Sequence, residues 1–290
     1  MTLKAAHLSD RGVVRVGGED ATSFLQGLLT NDVERLRSGE ARYAALLTPQ
    51  GKILFDMLVV RISAEKGAAY LLDCAAAQAA DLAKRLGFYK LRAKVAIADE
   101  SAELGVVAAW NGAPDNAPAG IVYPDPRDPR LGWRAILPRA RAVALGEADE
   151  NQYETIRIGA GAPKGGVDFA YGDAFPHDAN LDLINGVDFE KGCYVGQEVV
   201  SRIEHRANAR SRLVPVAFDE FAPSSGPVMA GEREVGMLFS TSKGRGIAML
   251  RLDRVADAVA AGTSLTRGNI PLHIVKPDWA GFTVPCEPKA

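Results

Sequence analysis

Cysteine is scarce: the 290-residue chain has three, Cys74, Cys193 and Cys286, far apart in sequence. An odd, scattered count excludes a disulfide framework and leaves no close pair of Cys or His ligands for structural zinc. Strong charge of either sign is also missing. A formal net charge of −2 sets up no global field for nucleic acid or acidic membranes, although it leaves room for a local basic patch. No run approaches the roughly 18 uninterrupted apolar residues of a spanning helix. The opening MTLKAAHLSDRGVVRVGGED lacks the apolar stretch of a secretory signal. Neither a GxGxxG nor a Walker-type glycine loop occurs, which argues against dinucleotide and P-loop chemistry. These absences imply a reducing, cytoplasmic setting with free thiols, no membrane and no direct nucleic-acid partner.

What is present is ample apolar material, 47% of residues, enough for a substantial core. GVVRVGG reads as a strand, followed by a helix over EDATSFLQGLLTNDV with Asp20 as its N-cap. ARYAALLTPQGKILFDMLVVRI reads as two strands around a Pro49-Gln50-Gly51 turn. AAYLLDC is another strand, and AAAQAADLAKRLGFYK a helix stopping near Gly87. The Pro- and Asp-rich segment over 111–130, with its two Asp-Pro-Arg triplets, reads as loop and turn. EADENQYETIRIG is helical, and residues 159–189 form a long glycine-rich connection of the kind that is functional or disordered. From about Ser211 short strands recur between Gly, Pro and Ser. The expected organisation is therefore an α+β domain over 1–210 and a small β-barrel over 211–290.

The densest chemistry is FEKGCYVGQEVV, residues 189–200. A thiolate is the reactive form of cysteine, and a nearby cation lowers its pKa. Lys191 is placed to hold Cys193 as thiolate, while Gly192 and Gly196 allow close backbone approach. Tyr194, Gln197 and Glu198 add polar groups suited to a heterocycle. The alternative is that Cys193 is a small buried hydrophobe. Arg202, Arg206 and Arg210 recur every four residues, as one helical face for an anion or as a solvated face beside Glu204. Asp56 interrupts the apolar ILFDMLVV, either pointing outward or held in a cleft. Gln26 and Asn31 in LQGLLTNDV, and Tyr89 in GFYKLRAKV, could line the same cleft. His177 has no second histidine nearby, so no metal site is expected.

KGCYVGQE at 191–198 resembles the signature of the YgfZ family of folate-binding proteins, part of the wider group that contains the glycine-cleavage T-protein, an aminomethyltransferase. FLQGLLTNDV, QGKILFDMLVVR, GFYKLRAKV and FPHDANLDLINGVDFEKGCYVGQE extend the likeness across most of residues 10–212. The resemblance implies a folate-binding α+β domain with a central cleft and a C-terminal barrel. Tetrahydrofolate would be the ligand, contacting Asp56, Gln26, Asn31, Tyr89, Tyr194, Gln197, Glu198 and Arg206. Cys193 and Lys191 would serve as the functional thiol and its partner. The implied role is assembly or repair of iron–sulfur clusters, with client enzymes or assembly proteins as partners. Two positions depart from the T-protein pattern. Phe55-Asp56 stands where that hairpin has two adjacent acids, and Gly159 stands where the group has a Glu.

Overall fold

The computed structural model describes residues 2–64, 67–114, 120–206, 209–219, 223–283 and 285. Its α+β part is built on two antiparallel sheets. The larger has strand order β3-β4-β5-β2-β6 and uses β2 (Arg11–Gly18), β3 (Ala41–Leu47), β4 (Ile53–Ile62), β5 (Ala68–Ala75) and β6 (Ala96–Asp99). The smaller has order β1-β7-β9-β8, from β1 (Lys4–His7), β7 (Leu104–Trp110), β8 (Ile121–Pro124) and β9 (Trp133–Pro138). The first strand of the chain therefore pairs with β7, Lys4 opposite Trp110.

The larger sheet is covered on both faces, which explains the nearly unbroken apolar runs in β4 and β5. Tyr43, Leu58, Val60 and Leu71 pack towards Val106, Ala108, Tyr123 and Ile136 of the smaller sheet. On the other face Val14, Val16, Met57 and Leu72 meet α1 (Ala21–Gln26) and α2 (Ala79–Lys90) through Leu25, Leu82 and Leu86. Helix α1 is shorter than its apolar spacing suggests. It stops at Gln26 because the chain peels away to extend the sheet, with Leu29 bridging Leu46 and Thr30 N–H donating to Ala45 O at 3.0 Å. Asp20 does not cap it with its side chain; its carboxylate accepts from Lys94 N at 2.7 Å instead. Helix α2 runs past Gly87 to Lys90. Buried Leu82 and Leu86 outweigh the roughly 1 kcal/mol that a mid-helix glycine costs.

After α3 (Arg139–Leu145) and α4 (Glu150–Ala160), residues 161–196 form a long run of turns, ending at α5 (Gln197–Arg206). A closed barrel follows, order β10-β13-β12-β11-β14-β15, from β10 (Ser211–Ala217), β11 (Gly226–Ala230), β12 (Arg233–Ser242), β13 (Arg245–Arg251), β14 (Leu265–Arg267) and β15 (Ile270–Ile274). The α6 helix (Leu252–Ala260), not anticipated from sequence, packs Val255 and Ala258 onto it. Polar clasps hold the barrel to the rest. Arg157 donates to Ser240 Oγ at 2.9 Å and to Asp168 at 2.7 Å, and Trp279 Nε1 donates to Ala160 O at 3.2 Å.

Candidate functional site

Asp188 shapes the start of the thiol loop. Its Oδ1 accepts from the backbone N–H groups of Glu190 (2.8 Å) and Lys191 (3.0 Å), a side-chain-mediated turn that aims Lys191 inward. Lys191 is buried, and its ammonium donates to the carbonyls of Gln26 (2.8 Å), Leu29 (2.5 Å) and Asn31 (3.0 Å). It also lies 5.2 Å from the centre of the Tyr194 ring. Burial lowers its pKa to about 8, against the opposing pull of Asp32, Asp188 and Glu34. The expectation that Lys191 serves the Cys193 thiolate is thereby corrected. The cation is committed to three carbonyls that the departing end of α1 leaves open, and it clamps the thiol loop to the FLQGLLTND segment.

Between Lys191 and Tyr194, both buried, Gly192 and Cys193 are exposed. Gly196, at φ +83°, brings the loop against the β3–β4 turn so closely that a Cβ would meet Thr48 O at 2.6 Å. Cys74 is the opposite case: it is buried in β5, and burial pushes its thiol up to about 12. Cys286 lies outside the described residues. A cleft of about 710 Å³ opens beside the thiol loop, lined among others by Asn31, Arg42, Asn185, Asp188 and Phe189.

Asp56 points inward, and both its oxygens are taken, by Tyr43 OH (3.0 Å) and Tyr171 OH (2.5 Å). Burial and the Asp56 charge push both phenols up, so they remain donors. The space left around Asp56 is about 20 Å³, room for one water; ligand pockets run to roughly 300–1,000 Å³. An ionic knot fills the remainder. Arg11 donates to Asp73 at 2.6 Å, Arg134 joins Asp73 (3.1 Å) to Asp125 (3.2 Å), and Arg127 grips Asp125 at 3.0 and 2.7 Å. A pterin does not fit there, so the expectation of a folate seat at Asp56 is not met.

The other expected contacts are dispersed. Gln26 and Asn31 are structural: Gln26 Oε1 accepts from Val33 N at 2.9 Å, and Asn31 Nδ2 donates to Tyr43 O at 2.8 Å and Asn185 O at 2.7 Å. Tyr89 sits apart on α2, half-buried against the helix-side core. Gln197 and Glu198 open α5, and Glu198 pairs with Arg202 at 2.5 Å. The arginine row does not share one helical face: α5 ends at Arg206, whose side chain lies outside the described residues, and Arg210 follows the helix.

Sequence reasoning missed the knot and its tyrosines. The available signal was a charge in each of two apolar strands, Asp73 in YLLDCA and Arg134 in WRAILP. It also missed that His177, Asp182 and Glu204 converge, with ligand atoms within 4.8 Å of one another. Arg212 already holds both oxygens of Asp182, at 2.9 and 2.8 Å.

Comparison with known proteins matches residues 5–110 to the GCVT N-terminal domain and residues 210–282 to the CAF17 C-terminal β-barrel domain. An iron–sulfur cluster assembly factor IBA57 homolog of Mycosarcoma maydis is 35% identical over 283 residues, covering 92% of this chain and 69% of the relative. The Mus musculus IBA57 is 32% identical over 307 residues, covering 94% of this chain and 84% of its own. The chain belongs to the IBA57 family of iron–sulfur cluster assembly factors. The YgfZ likeness is thus narrowed to IBA57. Both relatives are mitochondrial by name, which overturns the cytoplasmic setting inferred from composition. The chain also shares its fold with the glycine cleavage system aminomethyltransferase T of Bartonella henselae, at TM-score 0.75 and 18% identity over 96% of this chain and 86% of that one.

Proposed function

We propose that this chain assists iron–sulfur cluster assembly in client proteins by offering the Cys193 thiolate as a transient ligand to iron. The observation that carries the reading is the pairing of an exposed thiol with a clamped loop. Cys193 is the exposed one of the two described cysteines, and Lys191 and Gly196 fix the backbone on either side of it. A soft thiolate suits iron. On binding, the thiol loses its proton to solvent and forms one Fe–S bond. One thiolate cannot hold a cluster, whose irons take several cysteine ligands, so the remaining ligands come from the client. The names of the IBA57 relatives support this role. Aminomethyl transfer on tetrahydrofolate is not part of the proposal, because the Asp56 cleft is filled by the protein's own side chains.

The test is anaerobic reconstitution of a cluster on a purified client in the presence of this chain. The wild type and Cys74→Ala should form a complex with cluster absorbance, and Cys193→Ala should not. Equal cluster loading with Cys193→Ala overturns the proposal.

A further inference from the structure

We propose that the C-terminal end of α2 is a peripheral docking site for an anionic lipid surface. Helix α2 buries Ala79, Leu82 and Leu86 and turns Lys84, Arg85 and Phe88 to the opposite side. Phe88 is 65% exposed and Leu91, just past the helix, 89%. Leu91 adopts φ +43°, a positive value that residues other than glycine rarely take. A branched side chain there is strained and, at that exposure, contributes little packing, so the fold does not account for it.

The surrounding charge is one-sided. Residues 79–94 carry one acid, Asp81, against five cations, Lys84, Arg85, Lys90, Arg92 and Lys94. Lys94 pairs with Glu19 at 2.7 Å, but the other four hold no ion pair among the described residues. Several other exposed cations are paired, as in Arg202–Glu198, Arg233–Asp257 and Arg251–Asp253, while Arg37, Lys243 and Arg245 hold no ion pair among the described residues. What sets the α2 end apart is four such cations beside two exposed apolar side chains. The helix dipole favours Lys90 and Arg92 near the C-terminus; it explains neither Lys84 and Arg85 nor the two exposed apolar side chains. A net charge of −2, from which no membrane partner is expected, averages this patch away.

Charge complementarity selects an anionic occupant, and shape selects a bilayer over a protein. Phe88 and Leu91 project outward. A headgroup layer accepts such a prong without a matching hollow, and long Lys and Arg stems let the cations stay at headgroup level. No helix of the described residues is long and apolar enough to cross a membrane, so the attachment is superficial and reversible. The inference is independent of the role of Cys193.

The experiment is co-sedimentation of the full chain with phosphatidylcholine vesicles, against vesicles in which phosphatidylglycerol replaces a third of the lipid. The wild type should bind the anionic vesicles roughly tenfold or more tightly than the neutral ones and release in high salt. Lys84→Glu with Arg85→Glu, and separately Phe88→Ser with Leu91→Ser, should each abolish binding while melting as the wild type does. No binding by the wild type, equal binding to both vesicles, or unaltered binding by the folded variants overturns the proposal. Loss of affinity for an acidic protein in the same variants, with vesicles ignored, assigns the patch to protein and overturns it equally.

Discussion

A lysine two residues from a cysteine invites the reading that one activates the other, yet the partners of Lys191 lie about 160 residues away. Lys191→Met would leave three carbonyls without their donor. It should cost about 1–3 kcal/mol in urea denaturation and loosen the loop, so that Cys193 is alkylated faster. The pH dependence has a definite sign. The folded-state pKa of Lys191, about 8, lies below its ordinary 10.5. Between those values the unfolded chain binds more protons, so the lysine's contribution to stability rises with pH. The deficit of Lys191→Met should therefore be larger at pH 10 than at pH 7; a constant deficit would contradict the lowered pKa. The thiols should separate as cleanly. Cys193→Ala should change stability by no more than about 0.5 kcal/mol, as for an ordinary surface position. In native alkylation Cys193 should react while buried Cys74 is protected; equal rates would refute that difference.

Among the elements, the β3–β4 hairpin and the KGCYVGQE loop were readable from sequence because their signals are local, apolar strand runs around a Pro-Gln-Gly turn and a glycine-rich loop. The knot between the sheets was not readable. Arg11 and Asp73 are 62 positions apart, and Asp73 and Arg134 are 61 apart; each charge alone passes for an outward-facing strand position. Asp56 shows the same limit, since nothing near it in sequence announces Tyr171 as its donor. The filled cleft makes a direct prediction. Tetrahydrofolate should find no seat at Asp56, so any rise in melting temperature it gives should survive Asp56→Asn; stabilisation by folate that Asp56→Asn removes would show that the cleft opens. On the thiol loop, Gly196→Ala combines φ +83° with a clash at Thr48 O. It should cost about 1–3 kcal/mol in thermal or urea unfolding, and it should cut cluster loading although the thiol itself remains.

For the molecule as a whole, the knot decides how the two sheets stay together. Burial pushes the Asp125 carboxyl up, but Arg127 and Arg134 outweigh it and hold the group well below its ordinary range. A depressed carboxyl contributes stability that is complete above its unfolded pKa, near 3.8, and is lost as pH falls from there towards the folded value. Asp125→Asn should thus be clearly destabilised at pH 7, with the gap to wild type narrowing below pH 4 in acid unfolding. Arg134→Ala, which cuts the link between Asp73 and Asp125 but leaves Arg11 on the first and Arg127 on the second, should cost about 1–3 kcal/mol. The barrel clasps, Arg157 to Ser240 and Trp279 to Ala160, tie that module to the rest.

The pairing of β1 with β7 also sets a schedule for synthesis. Lys4 meets Trp110 and His7 meets Val107, so β1 must wait for a partner made about a hundred residues later. At a translation rate of ~5–20 residues per second, that delay is ~5–20 s. The whole larger sheet can be made within it. The waiting segment is short, Lys-Ala-Ala-His, with two small side chains between polar ends. It offers little for a wrong partner to grip before the right one arrives.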